Sequence, residues 1–109
     1  MPKVLISDSL GNLAKEVFKK EKIEVDVNTD LSPSELKKII KNYEGLIVRS
    51  ATKVTKEIIE SGDKLKIIGR AGSGVDNIDL ACAKKNNIIV MNTPGGNTNA
   101  TAEHVFSLL

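Results

Sequence analysis

The segment "GRAGSGVDNID", residues 69 to 79, combines an arginine with closely spaced glycines and a serine, directly behind an apolar run. Gly72 and Gly74 relax the steric limits on the backbone, so that successive N–H groups can converge on an anion. The segment also contains G-x-G, but the third glycine of a dinucleotide-binding G-x-G-x-x-G would fall at Asn77. The pattern therefore favours an anion-binding turn over a dinucleotide loop. A plain strand-to-helix turn is the alternative for this segment taken alone.

A second group of polar residues follows another apolar run, "GLIVR". Arg49 can hold a carboxylate or phosphate through two parallel hydrogen bonds, and Lys53 and Arg70 can add positive charge. Ser50 lies beside Arg49 and offers a hydroxyl group. If both apolar runs are strands of one parallel sheet, their carboxyl ends share an edge, where ligands of such sheets bind. The sequence thus predicts one site for a small anion at this edge.

The elements that must position this site alternate between two periodicities. Helical spacing or capping residues predict helices between and after the strands, at Leu10 to Phe18, Ser32 to Tyr43, Thr55 to Gly62, Asp76 to Asn86 and about Ala100 to Leu109. The strands are predicted from five short apolar or alternating runs, which are "KVLISD", "IEVDV", "GLIVR", "KIIGR" and "IIVM". This alternation predicts an α/β fold of the flavodoxin-like type, a five-stranded parallel sheet of order 2-1-3-4-5 with helices on both faces.

The composition of the 109 residues excludes several classes of protein. The net charge is only +2 and aromatic residues make up 3%, so a basic surface with stacking rings, as nucleic-acid binding needs, is not expected. Apolar runs are far too short to span a membrane. The chain has a single cysteine and its first residues lack the pattern of a secretory signal, so we expect a cytoplasmic protein.

No residue of the chain is predicted to be catalytic. His104 lies in the last predicted helix beside Glu103, and a lone helical histidine is more often a packing or surface residue. Cys82 lies between alanines and is typical of a small buried side chain. Metal-binding and acyl-transfer patterns such as H-E-x-x-H, C-x-x-C and G-x-S-x-G do not occur, so no metal site is predicted.

Four blocks of the sequence, in order and across nearly the whole chain, resemble the D-2-hydroxyacid dehydrogenases: "KVLISDSL", "GLIVRSATKVT", "KIIGRAGSGVDNIDL" and "IIVMNTPGGNTNATAE". The resemblance implies an NAD-dependent oxidoreductase, and "RSATKVT" with "GRAG" points to the branch that oxidises 3-phosphoglycerate in serine biosynthesis. It also implies substrate-binding roles for particular residues, with Arg49 and Arg70 at the phosphate end of the substrate and the glycine-rich turn at its carboxylate. The implied substrate-binding set is Arg49, Ser50, Lys53, Arg70, Gly72, Ser73, Gly74 and Asn97, and the implied cofactor-side residues are Ser73 and Thr101.

The resemblance further implies how the chain divides. Residues 1–99 correspond to the substrate-binding domain, and residues 100–109 begin a helix that crosses into a separate NAD-binding domain. The family's catalytic arginine, its acid–base histidine and the cofactor loop come later than Leu109, so we expect this chain to be inactive alone. The full-length enzyme is expected to be a homo-oligomer that binds a small anionic substrate.

Other hypotheses start from the same fold. A free-standing anion-binding module would use the same edge of the sheet, whereas a phosphoacceptor receiver domain would need an aspartate where the third strand ends in Arg49. Alternatively, the last helix would leave Val105, Phe106, Leu108 and Leu109 exposed as an apolar patch that promotes self-association.

Overall fold

The computed structural model describes residues 3–7, 24–29, 31–49, 52–71, 77–93 and 105. The five predicted strands are all present, and they form one parallel sheet in the predicted order β2-β1-β3-β4-β5. Their bounds are β1, Lys3–Ile6; β2, Glu24–Val27; β3, Gly45–Val48; β4, Ile67–Ala71; and β5, Ile89–Thr93. The predicted fold class is therefore confirmed.

Three described α-helices join these strands, and two of them have a side-chain cap at the N-terminus. Helix α1 (Pro33–Ile39) has the predicted Ser32 cap with a complete capping box to Glu35, and it continues into a 3-10 turn at Ile40–Asn42. Helix α2 (Lys56–Ser61) begins after Thr55 and ends at Gly62, as predicted. The predicted first helix, at Leu10 to Phe18, lies outside the described residues.

Helix α3 (Leu80–Lys85) begins later than the predicted start at Asp76, because the residues before it are engaged elsewhere. The backbone of Asn77 and Asp79 is hydrogen-bonded to Val54, and the Asp79 carboxylate caps the helix at Cys82 N. At the other end, Asn87 has a φ of 58°, and its N–H and that of the next residue bond back into the last turn. Asparagine tolerates this left-handed conformation, which ends the helix and turns the chain into β5.

The sheet is covered on both faces, as expected for buried parallel strands. The side chains of Leu5, Leu46, Val48 and Ile68 form one core with helices α1 to α3. The opposite face carries Val4, Ile6, Ile47 and Ile67, all of them buried.

Val105, which has helical backbone, lies against this second face beside Gly45. A Cβ at Gly45 would meet Val4 Cγ2 at 3.1 Å and Val105 Cγ1 at 3.4 Å, so the absent side chain makes room for that contact. Val105 is fully buried, and the prediction of an exposed patch is wrong for this residue. The other three residues of that patch lie outside the described part of the chain.

One polar network lies under the first two strands. The Tyr43 hydroxyl donates to Asp26 Oδ2 at 2.7 Å, and Lys3 Nζ lies 3.5 Å from the same oxygen and 5.2 Å from the centre of the tyrosine ring. Burial, and then the hydrogen bond to the Asp26 carboxylate, raise the pKa of Tyr43 well above its ordinary value of 10.0. The neutral phenol thus links the end of the 3-10 turn to the edge strand.

We expect Tyr43→Phe to lower the free energy of unfolding by about 1–2 kcal/mol at neutral pH, since it leaves Asp26 without this donor. The contribution of Tyr43 is complete below pH 10.0, because both states are then protonated. Above that pH the unfolded chain loses the phenolic proton first, so the difference between wild type and variant shrinks as pH rises. Urea denaturation of the 109-residue chain at several pH values measures both effects.

The control is direct because Tyr43 is the only tyrosine and the chain has no tryptophan. Ultraviolet absorbance therefore follows the ionisation of this one phenol. A folded chain whose tyrosine titrates at 10.0 would contradict the assigned burial and hydrogen bond.

Within the described residues, no helix is both long and apolar enough to cross a membrane.

Candidate functional site

The predicted edge of the sheet carries an open cleft, formed by the loop after β3 and the segment that precedes α3. Arg70 lies on β4 in register with Val48 and Asn92, and Lys53 lies in the loop after β3. Both side chains line the same cleft, whose volume is about 650 Å³. The remaining described lining residues are Val54, Thr55, Lys56, Asn77, Ile78 and Asp79.

The described residues that line this cleft carry more positive than negative charge. Lys53, Lys56 and Arg70 are basic, and among these described residues only Asp79 is acidic. The Asp79 carboxylate accepts a hydrogen bond from Cys82 N at 3.0 Å, and Lys56 lies 3.9 Å from Glu60, so both of these charges are partly engaged outside the cleft. The Nε atom of Arg70 is buried. Water and salt therefore screen the attraction between this guanidinium group and an anion less than they would for a fully exposed arginine.

Hydrogen bonds fix the walls of the cleft to the sheet. Val54 and Ile78 form an isolated parallel bridge, with Val54 N donating to Asn77 O at 2.7 Å and Asp79 N donating to Val54 O at 2.9 Å. On the other side, the hydroxyls of Ser7 and Thr52 are 2.9 Å apart, and Ser7 is only 2% exposed. The loop after β3 is therefore tied both to the end of β1 and to the segment after β4.

The structure brings together two of the predicted binding residues, Lys53 and Arg70. Arg49 is exposed at the end of β3 and is not among the described residues that line the cleft. Arg49 directly follows Val48, the last residue of β3 and the register partner of Arg70. The other predicted residues lie outside the described part of the chain; they are Ser50, Gly72, Ser73, Gly74, Asn97 and Thr101.

Sequence reasoning assigned no role to Ser7 or Thr52, and it considered Asn77 only as the residue at the third glycine position of a dinucleotide loop. Their roles depend on partners 25 to 45 positions away in the chain, and no local spacing indicates such pairs. The one available indication is that all three follow predicted strands whose carboxyl ends meet at this edge.

The described residues do not suit the pyrophosphate of a dinucleotide here. A dinucleotide fold places that group at the N-terminus of the helix after a glycine-rich loop. In this chain the start of α3 is occupied by the Asp79 carboxylate, which would repel a phosphate, and Asn77 stands at the position of the third glycine. The cleft therefore fits a small anion better. Among the described residues, no group of three or more His, Cys, Asp or Glu side chains could hold a metal ion.

Comparison with known proteins gives a family match over most of the chain. Residues 4–107 match the family model described as D-isomer specific 2-hydroxyacid dehydrogenase, catalytic domain. The match includes the strands, the cleft and the glycine-rich segment.

Individual relatives agree with this match. The chain is 49% identical, over all of its length, to D-3-phosphoglycerate dehydrogenase of Synechocystis sp., of which it covers 20%. It is 48% identical to the human D-3-phosphoglycerate dehydrogenase over 93% of this chain and 19% of the human protein. A crystal structure of NAD+-bound 3-phosphoglycerate dehydrogenase from Entamoeba histolytica superimposes with a TM-score of 0.78 and 35% identity, over 97% of this chain and 37% of that one. The chain thus spans about a fifth of the length of the curated relatives it matches.

Proposed function

Since the chain belongs to the D-isomer specific 2-hydroxyacid dehydrogenases and matches their catalytic domain, we propose that it supplies the substrate anion site of an NAD-dependent phosphoglycerate dehydrogenase. The proposed reaction is the oxidation of 3-phospho-D-glycerate at C2 to 3-phosphohydroxypyruvate, the first step towards serine.

The observation that carries this proposal is the placement of Lys53 and Arg70 in one open cleft at the carboxyl edge of the sheet. Arginine forms paired hydrogen bonds with phosphate and carboxylate groups, and a nearby ammonium adds attraction without demanding one geometry. A substrate with two anionic groups, such as the carboxylate and phosphate of 3-phosphoglycerate, suits the excess of positive charge. Names of relatives from Synechocystis and from human support the same substrate.

We assign the remaining predicted residues to the same substrate. In this assignment Arg49 and Ser50 approach the phosphate together with Arg70, Asn97 contacts the substrate, and Gly72, Ser73 and Gly74 offer backbone N–H groups to its carboxylate. Binding at both ends would hold C2 in one orientation, which lowers the barrier to the reaction by fixing the reacting atoms in place.

The proposal divides the work between this chain and a further domain. Residues 1–99 form the substrate-binding domain, and residues 100–109 begin the helix that leads into the NAD-binding domain. NAD, when bound, would supply the hydride acceptor, and Ser73 and Thr101 are the residues of this chain assigned to its side of the cleft. The complete enzyme is proposed to be a cytoplasmic homo-oligomer, and the single cysteine of this chain is compatible with a reducing compartment.

The test is an assay of NADH formation with the full chain as its gene encodes it, using 3-phosphoglycerate and NAD. We expect turnover by the full chain and none by the 109-residue chain, because no acid–base residue is assigned within it. Oxidation of D-lactate or D-glycerate in preference to 3-phosphoglycerate would overturn the substrate assignment. NADH formation by the 109-residue chain would overturn the division of labour.

A further inference from the structure

The side chain of Asn77 bridges two carbonyl groups of the loop after β3. Its Nδ2 atom donates to Arg49 O at 2.7 Å and to Thr52 O at 2.6 Å. An asparagine amide has two N–H donors, and both are used here. Because two carbonyl oxygens face the same atom, only the –NH2 group satisfies them, and the orientation of the amide is settled by its partners.

The backbone of the same residue binds the same loop. Asn77 O accepts from Val54 N, and the bridge from Val54 to Ile78 continues this pairing. The loop from Arg49 to Val54 is therefore held at three carbonyl or amide groups by one residue. This loop contains two of the basic residues assigned to the anion, Arg49 and Lys53.

We infer that Asn77 is a positioning residue of the anion site, which fixes the loop bearing Arg49 and Lys53 against β4 and its Arg70. This inference rests on the proposed function. The amide also engages the partial negative charge of two carbonyl oxygens beside a site for an anion, which reduces their repulsion of the substrate. Asn77 acts through the loop, and no contact of its own with the substrate is needed.

The test compares Asn77→Ala and Asn77→Asp with a matched control, Asn86→Ala, in the full chain as encoded. Ala removes the two donors without adding charge, whereas Asp keeps nearly the shape of Asn but replaces the donors with a negative charge, so a larger effect of Asp than of Ala reports the added repulsion. Asn86 Nδ2 also donates to a backbone carbonyl, Cys82 O, at 2.8 Å, but at the far end of α3. We expect both Asn77 variants to raise the KM for 3-phosphoglycerate by about tenfold or more, with kcat changed less than about threefold. The control should lose comparable thermal stability while its KM stays at the wild-type value.

A KM unchanged in the Asn77 variants, or raised equally in Asn86→Ala, would overturn the inference. If wild type does not oxidise 3-phosphoglycerate, the proposed function fails, and calorimetric binding of inorganic phosphate to the same variants decides the inference separately. Weaker phosphate binding by the Asn77 variants than by Asn86→Ala supports it. Equal binding by all variants, or no binding by wild type, overturns it.

Hydrogen exchange supplies a readout that depends on neither substrate nor phosphate. The amides of Val54 and Asp79, which bridge the two segments, should exchange faster in Asn77→Ala and remain protected in Asn86→Ala. Unchanged protection in Asn77→Ala would show that the side chain does not hold the loop, and would overturn the inference.

Discussion

Replacement of Arg70 by glutamine is expected to reduce kcat/KM for 3-phosphoglycerate by about 10- to 150-fold in the full-length enzyme. Hydrogen bonds to charged groups contribute about 1.5–3 kcal/mol, and this range converts to that loss. Arg70 lies on an inner strand, with its neighbours on β3 and β5 in register, so its position is set by the sheet rather than by a loop. Glutamine keeps a polar side chain there but removes the charge and the paired donors.

The control for this prediction is Lys66→Gln, which removes a positive charge near the opposite end of β4. Lys66 lies 3.5 Å from Glu44 in a surface ion pair whose lysine is exposed, and such pairs contribute little to stability or to a distant site. We expect kcat/KM to stay within about twofold of wild type in this variant, since exposed charges beyond a Debye length are screened. An Arg70→Gln enzyme that is folded, by its thermal midpoint, and equally active would exclude Arg70 from substrate binding.

The fold could be predicted from sequence because its determinants are local. The buried strands appear as short apolar runs, and the capping box of Ser32 and Glu35 marks the start of α1 without reference to the rest of the chain. The family resemblance, carried by four blocks, is confirmed by the match over residues 4–107. The alternation of strands and helices predicted a parallel sheet, and the number of strands favoured the order that the structure has.

Features that depend on distant partners could not be predicted. Helix α3 begins at Leu80 rather than Asp76 because Val54, far away in sequence, pairs with the intervening segment. Tyr43 was predicted only as the last residue of a helix, yet its hydroxyl donates to Asp26, 17 positions earlier. In both cases the partner is brought close by the sheet, so the pairing exists only after the fold has formed.

The candidate site shows the same limit. That Lys53 and Arg70 lie near one another follows from neighbouring strands ending at one edge, which the predicted topology contains. The carbonyl groups of Arg49 and Thr52 are bound by an asparagine more than 20 positions later. Residue types at this edge were therefore predictable, whereas the hydrogen bonds that orient them were not.

Truncation of Ile68 to alanine is expected to have the largest effect on stability, about 3–4 kcal/mol of unfolding free energy. Ile68 is fully buried on β4, between Leu46 on β3 and Val90 on β5, in the core that helices α1 to α3 cover. The substitution removes buried apolar carbons and leaves a cavity. Because β4 is paired with a strand on each side, the backbone cannot move to close it.

The matched control is Ile89→Ala on the adjacent strand, which removes the same atoms from a side chain that is 47% exposed at the edge of the sheet. We expect a loss below about 1 kcal/mol there, because less apolar surface is buried and solvent occupies the space. Urea denaturation of the 109-residue chain, followed by the fluorescence of Tyr43 in the same core, measures both losses. Equal losses would mean that Ile68 is not enclosed as described, because the expected difference between the two variants depends on the difference in burial of the two isoleucines.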